Sequence, residues 1–175
     1  MNEDLKEFIR DVPDFPKKGI IFKDITTLLK DPAALKLTLN RMHKVVKDLK
    51  INKVVGVESR GFIFGGMLAE KLDAGFVPVR KPGKLPAAVF QQSYELEYGT
   101  DTIEIHKDAI LKGDRVLLHD DLLATGGTAK AACNLIEQMG GEVVLISFII
   151  ELAFLHGREK LKGYNVHSLL NYSSE

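Results

Sequence analysis

Four short, almost unbroken apolar runs, separated by segments with helical spacing, leave this chain few ways to fold. They are Lys53-Val-Val-Gly-Val57, Phe76-Val-Pro-Val79, Arg115-Val-Leu-Leu118 and the stretch from Val143 to Ile150. A strand that is apolar at every position is buried on both faces, as in a central parallel sheet. Pro78 cannot donate to a sheet ladder, so its run suits an edge. Between the runs the period changes. Asp31 is placed to cap a helix with Pro32 in the first turn, where a missing N–H costs nothing. Leu35, Leu39, Met42, Val46 and Leu49 then fall on one face. Residues 61–72 form a second helical segment. A third starts near Gly127, turns Ala129, Ala132, Cys133, Ile136 and Met139 inward, and stops at Gly140-Gly141. Strand, helix, strand in this order predicts an α/β fold, a doubly wound and mostly parallel central sheet flanked by helices. Ligands of such sheets bind beyond the carboxyl ends of the strands.

The bulk properties narrow the functional classes. A chain of 175 residues is long enough to bury a core as a single domain, 1–175. Its 24 basic and 24 acidic side chains cancel. No global field gathers nucleic acid, no nucleic-acid partner is expected, and an anionic ligand must be held by local charge. Cys133 is the only cysteine, which excludes an internal disulfide and reads as a small buried residue. The opening MNEDLKEFIRDVP is charged where a secretion signal needs an apolar run. The longest apolar stretch, Val143 to Ile150, is interrupted by Ser147 and too short to span a bilayer. A cytoplasmic location without membrane association is the expectation.

Two regions break the alternation. Residues 1–30 are rich in proline and aromatics and precede the first clear helix. Residues 94–106 alternate with period two around Gly99-Thr-Asp-Thr102, which predicts a hairpin set between core strands, where a lid over the site can lie. Glu95 and Glu104 on that hairpin are expected to face solvent.

The most informative segment is Arg115-Val-Leu-Leu-His-Asp-Asp-Leu-Leu-Ala-Thr-Gly-Gly-Thr128. An apolar strand ends in two carboxylates, and a small-residue loop then opens a helix. Ala124, Thr125, Gly126, Gly127 and Thr128 offer successive main-chain N–H groups at a helix N-terminus, where unpaired donors and the helix dipole both favour an anion. The two glycines admit close approach of phosphate oxygens, and the threonines add hydroxyls. No lysine follows, so this is not the Gly-Lys-Ser/Thr loop of nucleotide triphosphatases. Asp120 and Asp121 would repel a phosphate in contact. A sugar carrying the phosphate resolves the conflict, with the carboxylates accepting from ribose hydroxyls one sugar length away. A solvated turn before a glycine-rich helix start is the bland alternative. A metal site at His119-Asp120-Asp121 is disfavoured because neighbouring strand residues face opposite ways.

This segment resembles the signature of the type I phosphoribosyltransferases, and its extended form, Asp-Asp-Leu-Leu-Ala-Thr-Gly-Gly-Thr, that of their adenine-specific branch. Three further blocks carry the same resemblance: Phe15-Pro-x-Lys-Gly-Ile-Ile-Phe-Lys-Asp-Ile25, Glu58-Ser-Arg-Gly-Phe-Ile-Phe-Gly65, and Arg80-Lys-x-Gly-Lys-Leu-Pro86 with Tyr94-x-Leu-Glu-Tyr-Gly99. It runs from about residue 8 to the C-terminus. The resemblance implies a type I phosphoribosyltransferase fold, with 1–30 as a hood that receives the base, 31–175 as the core, and a hairpin lid at about 84–106. It implies an enzyme of purine salvage that joins adenine to 5-phosphoribosyl 1-pyrophosphate, giving AMP and pyrophosphate, with Mg2+ bound mainly through substrate and a homodimeric assembly.

The resemblance also distributes roles. The peptide between Glu58 and Ser59 lies at the pyrophosphate site and can be cis. Arg60 is the foremost pyrophosphate contact, since a guanidinium binds oxygens bidentately; a surface arginine is the alternative. Arg80, Lys81 and Lys84, a solvated charge run on the bland reading, help neutralise the diphosphate within one subunit or across a dimer interface. Phe22 stacks on adenine, and main-chain groups of Ile21 and Lys23 pair with its ring edge; an ordinary core aromatic is the alternative for Phe22. Lys23 stands where many relatives have Arg. Glu97 is the catalytic residue nearest the base, managing a proton on the purine ring, while Tyr98 anchors the lid. His119, where relatives usually carry an aliphatic residue, reads as a satisfied buried histidine without a catalytic role. Two rival functions stay open: a phosphoribosyltransferase for another base, and a non-catalytic regulator that binds phosphoribosyl pyrophosphate.

Overall fold

The computed structural model describes residues 3–95 and 99–174. A short helix α1 (Glu3–Lys6) leads into an antiparallel pair, β1 (Arg10–Pro13) and β2 (Ile21–Asp24). The one-turn helix α2 (Thr26–Leu29) and the long α3 (Pro32–Val46) follow, and then β3 (Lys53–Val57), α4 (Gly61–Lys71) and β4 (Gly75–Val79). A hairpin of β5 (Val89–Glu95) and β6 (Thr100–His106) precedes β7 (Arg115–Leu123), α5 (Gly127–Gln138) and β8 (Glu142–Leu152). Two 3₁₀ turns, Ala153–Leu155 and Gly157–Leu161, connect to β9 (Val166–Tyr172).

The central sheet has five strands in the order β4-β3-β7-β8-β9, all parallel. Pro78 lies in β4 at the edge, as its missing donor requires. Helices α3 and α4 cover one face, burying Leu39, Met42, Val46, Phe64 and Leu68. Helix α5 covers the other with Ala132, Cys133, Leu135 and Ile136. The sequence-predicted helices stand where their signals put them. The Asp31 carboxylate accepts from the amides of Ala33 and Ala34 at 2.9 and 2.8 Å, and Gly140, at φ 89°, donates to Glu137 O beyond the end of α5. No helix among the described residues is long and apolar enough to cross a membrane.

Several expectations need correction. The carboxylates do not end their strand: β7 runs on to Leu123, still paired with β8, while its pairing with β3 stops at His119. Asp120 and Asp121 therefore sit where one neighbour has left and the other remains. In the hairpin Gly99-Thr102 is not the turn. Thr100, Asp101 and Thr102 belong to β6 and pair with Glu95, Tyr94 and Ser93, because the register that faces Phe90 to Ile105 extends the ladder that far. Glu104 does not face solvent but is buried. It accepts from the Gly83 amide at 3.0 Å and the Gln91 side chain at 2.5 Å, which supplies the hydrogen bonds a buried carboxylate needs. Strands β1, β2 and β9 were not among the expected strands.

The β1–β2 pair is fastened by charge. Arg10 reaches Asp24 Oδ2 with Nε at 3.0 Å and Nη2 at 2.5 Å, while Thr26 donates its amide and hydroxyl to the same carboxylate, each at 2.8 Å. Burial pushes the Asp24 carboxyl up, but these donors and the Arg10 charge prevail and hold it at about 2. A folded-state value below the ordinary 3.8 gives stability that is present above that pH and fades as pH falls toward 2. Asp24→Asn is therefore expected to cost about 1 kcal/mol at pH 7, discounted for the exposed Arg10 partner. In urea denaturation the difference from wild type should shrink between pH 4 and pH 2, in the window set by those two values.

Candidate active site

The topology locates the site. Helix α4 carries the chain from β3 to β4 on one face, and α5 carries it from β7 to β8 on the other. The winding direction reverses between β3 and β7, and a crevice opens at such a reversal beyond the strand ends. A cavity of about 430 Å³ lies there. It gathers Glu58, Ser59 and Arg60 after β3, Arg80 and Lys81 after β4, Asp120 and Asp121 on β7, and Ala124 through Thr128 across the start of α5. Of the other sequence-predicted residues, Lys84 stands just outside with Nζ 3.4 Å from Glu58 Oε1. Ile21, Phe22 and Lys23 lie on β2. Glu97 and Tyr98 fall outside the described residues.

The loop before α5 has the conformation its glycines allow. Gly126, at φ 78°, occupies the N-cap, a left-handed backbone that a side chain would strain. The amides of Thr125, Gly126, Gly127 and Thr128 donate to no carbonyl among the described residues, as expected for donors ahead of a first helical turn. The Thr128 hydroxyl donates to Tyr94 Oη at 3.1 Å, and Tyr94 donates to Asp101 Oδ2 at 3.1 Å. Lys81 Nζ also pairs with Asp101 and lies 3.4 Å from Tyr94 Oη. Tyr94 thus ties the hairpin to the loop. Sequence reasoning placed Tyr94 in a motif without a role, and period-two spacing carries no signal that could have assigned one.

The two carboxylates differ in environment. Asp120 Oδ1 accepts from the Asp121 amide at 2.8 Å, yet burial, and after it the neighbouring Asp121 charge, raises its carboxyl well above the ordinary carboxylate range. Asp121 is buried, with Oδ2 2.5 Å from Arg60 Nε. That oxygen receives no aligned hydrogen bond among the described residues, so the contact is an ion pair held by charge. The same guanidinium lies 4.9 Å from the Phe22 ring centroid, close enough for attraction to the ring face. Phe15 packs in a T-shaped contact with Phe22, ring centroids 5.2 Å apart at 79°. Arg60 is therefore the bridge between the β1–β2 segment and the carboxylates.

Every cation of the crevice has an acidic partner. Glu58 accepts from Arg80 Nε at 3.1 Å and from the Lys81 amide at 2.9 Å. Burial pushes the Glu58 carboxyl up, but those donors and Lys84 outweigh it and leave it below its usual range. Lys81 is the opposite case: burial disfavours its charge, and Asp101 and Tyr94 more than restore it. The cations are thus held charged and oriented around a cavity that the unpaired amides of the α5 loop also line. Such a cavity suits a ligand with one anionic group at the loop, a second near Arg80 and Lys81, and hydroxyls between.

Comparison with known proteins agrees. A family model described as a phosphoribosyl transferase domain matches residues 24–169. An adenine phosphoribosyltransferase of Christiangramia forsetii is 60% identical over 170 residues, covering 97% of this chain and 99% of its own. The chain belongs to the adenine phosphoribosyltransferase family. Solved structures of the family share its fold. That of Thermoanaerobacter pseudethanolicus is 53% identical with a TM-score of 0.96, over 98% of this chain and 100% of that one. The Saccharomyces cerevisiae structure, a complex with an imino-altritol bisphosphate and adenine, is 42% identical with a TM-score of 0.90 over 97% and 98%.

Three further positions singled out in the sequence can be placed. The Glu58–Ser59 peptide is cis, as the resemblance implied. The Lys23 side chain is buried, 2.8 Å from Asp11 Oδ1 and 4.6 Å from the Tyr172 ring centroid, so it is engaged away from the crevice and leaves only its main chain for a ligand. His119 is buried too, Nδ1 meeting Ser147 O at 3.0 Å, but Nε2 has no partner among the described residues. The expected full satisfaction is half met. Burial lowers its pKa to about 4, which keeps the ring neutral.

Proposed function

We propose that this chain transfers the phosphoribosyl group of 5-phosphoribosyl 1-pyrophosphate to adenine, releasing pyrophosphate and forming AMP. The observation that carries this reading is the crevice in which unpaired α5 amides, a carboxylate pair and three cations face one cavity, with Arg60 linking them to Phe22. In this reaction the C1′–N9 bond forms, the C1′–O bond to pyrophosphate breaks, and the N9 proton leaves. The amides of Thr125 to Thr128 hold the 5′-phosphate. Asp120 and Asp121 hold the ribose hydroxyls and favour the positive charge that develops on the sugar. Arg60, with Glu58, Ser59, Arg80, Lys81 and Lys84, receives the diphosphate. Segment 1–30 presents Phe22 for stacking, and main-chain groups of Ile21 and Lys23 read the base edge. An acceptor facing the 6-amino group rejects a 6-oxopurine, because the mismatch leaves a buried group unpaired. Glu97 manages the proton of the purine ring, Tyr98 anchors the hairpin, and closure excludes water.

Magnesium fits this chemistry. Asp121 Oδ2 is a buried oxygen met only by the Arg60 ion pair, without an aligned hydrogen-bond donor, and Asp120 stands beside it. Two carboxylates are a sufficient protein share for an ion that keeps substrate oxygens and water as its other ligands. Bound with the diphosphate, it would neutralise the leaving group. The working form is a cytoplasmic homodimer.

The test is product formation from phosphoribosyl pyrophosphate, magnesium and each of adenine, hypoxanthine, guanine, uracil and orotate. Pyrophosphate release with adenine, at least about 10³-fold above the other bases, is expected. Preference for another base supports the first rival; binding without turnover of any base supports the regulator.

A further inference from the structure

The loop before α5 rests on a bed outside every motif that identifies it. Beneath it runs the start of the second 3₁₀ turn, where His156 has φ 55° and Gly157 is buried. The two main chains touch reciprocally. A Cβ on Gly157 would overlap the Ala124 carbonyl oxygen and lie 3.0 Å from both the Ala124 carbonyl carbon and Leu123 Cδ1. A Cβ on Gly126 would overlap the Gly157 carbonyl oxygen and lie 3.2 Å from its carbon. Neither partner is a flexible side chain that could swing aside, so an added methyl must displace backbone.

The bed is itself anchored. Arg158 reaches Glu151 through Nε–Oε1 and Nη2–Oε2, both 2.7 Å, and donates from Nη1 to Val166 O at 3.0 Å. A two-point guanidinium–carboxylate pair fixes orientation as well as distance. Glu151 is buried on β8 and directly opposite Leu123, the last residue of β7 before the loop. The anchor and the loop therefore spring from adjacent positions of one ladder, and Gly157 is held between them.

We propose that Gly157 and Arg158 are positioning residues for the 5′-phosphate: Gly157 sets the height of the 124–127 loop, and the Arg158–Glu151 pair sets Gly157. This rests on the reading that the loop takes a 5′-phosphate. Donors displaced by about 1 Å lose much of their grip on an oxyanion. The effect is local to one wall of the cavity, since Glu58, Arg80 and Lys81 reach it from β3 and β4.

The experiment is calorimetric titration of wild type, Gly157→Ala, Arg158→Gln and the control Gly66→Ala with AMP and, separately, with magnesium pyrophosphate. Gly66 has open space around it and serves as a glycine whose change touches nothing. Gly157→Ala is expected to weaken AMP about tenfold or more and Arg158→Gln about threefold, with pyrophosphate affinity within about twofold and the control unchanged. KM for phosphoribosyl pyrophosphate should rise while KM for adenine stays put. AMP affinity within twofold of wild type in a folded Gly157→Ala, or equal losses for AMP and pyrophosphate, overturns the proposal. If Gly157→Ala does not fold, Arg158→Gln decides by the same split. A wild type that binds no AMP refutes the phosphate-loop reading as well, whereas a wild type that binds AMP, with variants that bind it equally, refutes the bed alone.

Discussion

Arg60→Gln is expected to lower kcat by about two to three orders of magnitude while the protein stays folded. Three positions make this residue the pivot of the crevice. It lines the cavity, its Nε lies 2.5 Å from Asp121 Oδ2, and its guanidinium faces Phe22 at 4.9 Å. A neutral amide keeps some bulk but loses the charge that stabilises a departing diphosphate. Its side chain is 37% exposed, so the fold depends little on it, and a stability loss of about 1 kcal/mol is expected from stranding the Asp121 partner. Steady-state kinetics with thermal unfolding on the same samples separates the two effects. Turnover within tenfold of wild type would remove Arg60 from the chemistry.

Phe148→Ala is expected to cost about 3–5 kcal/mol in stability, as for other fully buried aromatics. Phe148 is 1% exposed, stands opposite Asp120 in the β7–β8 ladder, and forms part of the cavity wall. It belongs to the same buried apolar cluster as Leu118, Ile146, Leu161 and the inward face of α5, where close packing leaves little room for neighbours to collapse into the gap. Urea denaturation should show a lower midpoint with an unchanged slope. A loss below about 1 kcal/mol would mean that the site has no rigid floor.

The inner strands were legible because burial on both faces writes itself into sequence as unbroken apolar runs, and Val54, Val55, Leu117, Leu118, Ile146 and Ile149 all proved buried, whereas the run in edge strand β4 leaves Phe76 37% exposed. The edge strand β9 was missed because Val166-His-Ser-Leu-Leu-Asn-Tyr172 mixes polar and apolar residues, and only Leu169 and Leu170 of it are buried. The loop 124–128 was legible because an anion cradle needs glycine and hydroxyl residues in sequence order. The contacts that complete it were not. Tyr94 meets Thr128 across 34 positions and Gly157 meets Ala124 across a fold-dependent gap, and nothing local announces either. Glu104 was misplaced for the same reason, because its burial depends on Gly83 and Gln91. His119 kept its expected burial but not its expected full set of partners.

The most direct test is a crystal structure of the protein grown with AMP. The 5′-phosphate should lie within hydrogen-bond distance of the amides of Thr125 to Thr128, with the ribose hydroxyls on Asp120 and Asp121 and the base against Phe22. A phosphate seated instead among Arg80, Lys81 and Lys84, with the α5 amides facing only water, would contradict the account.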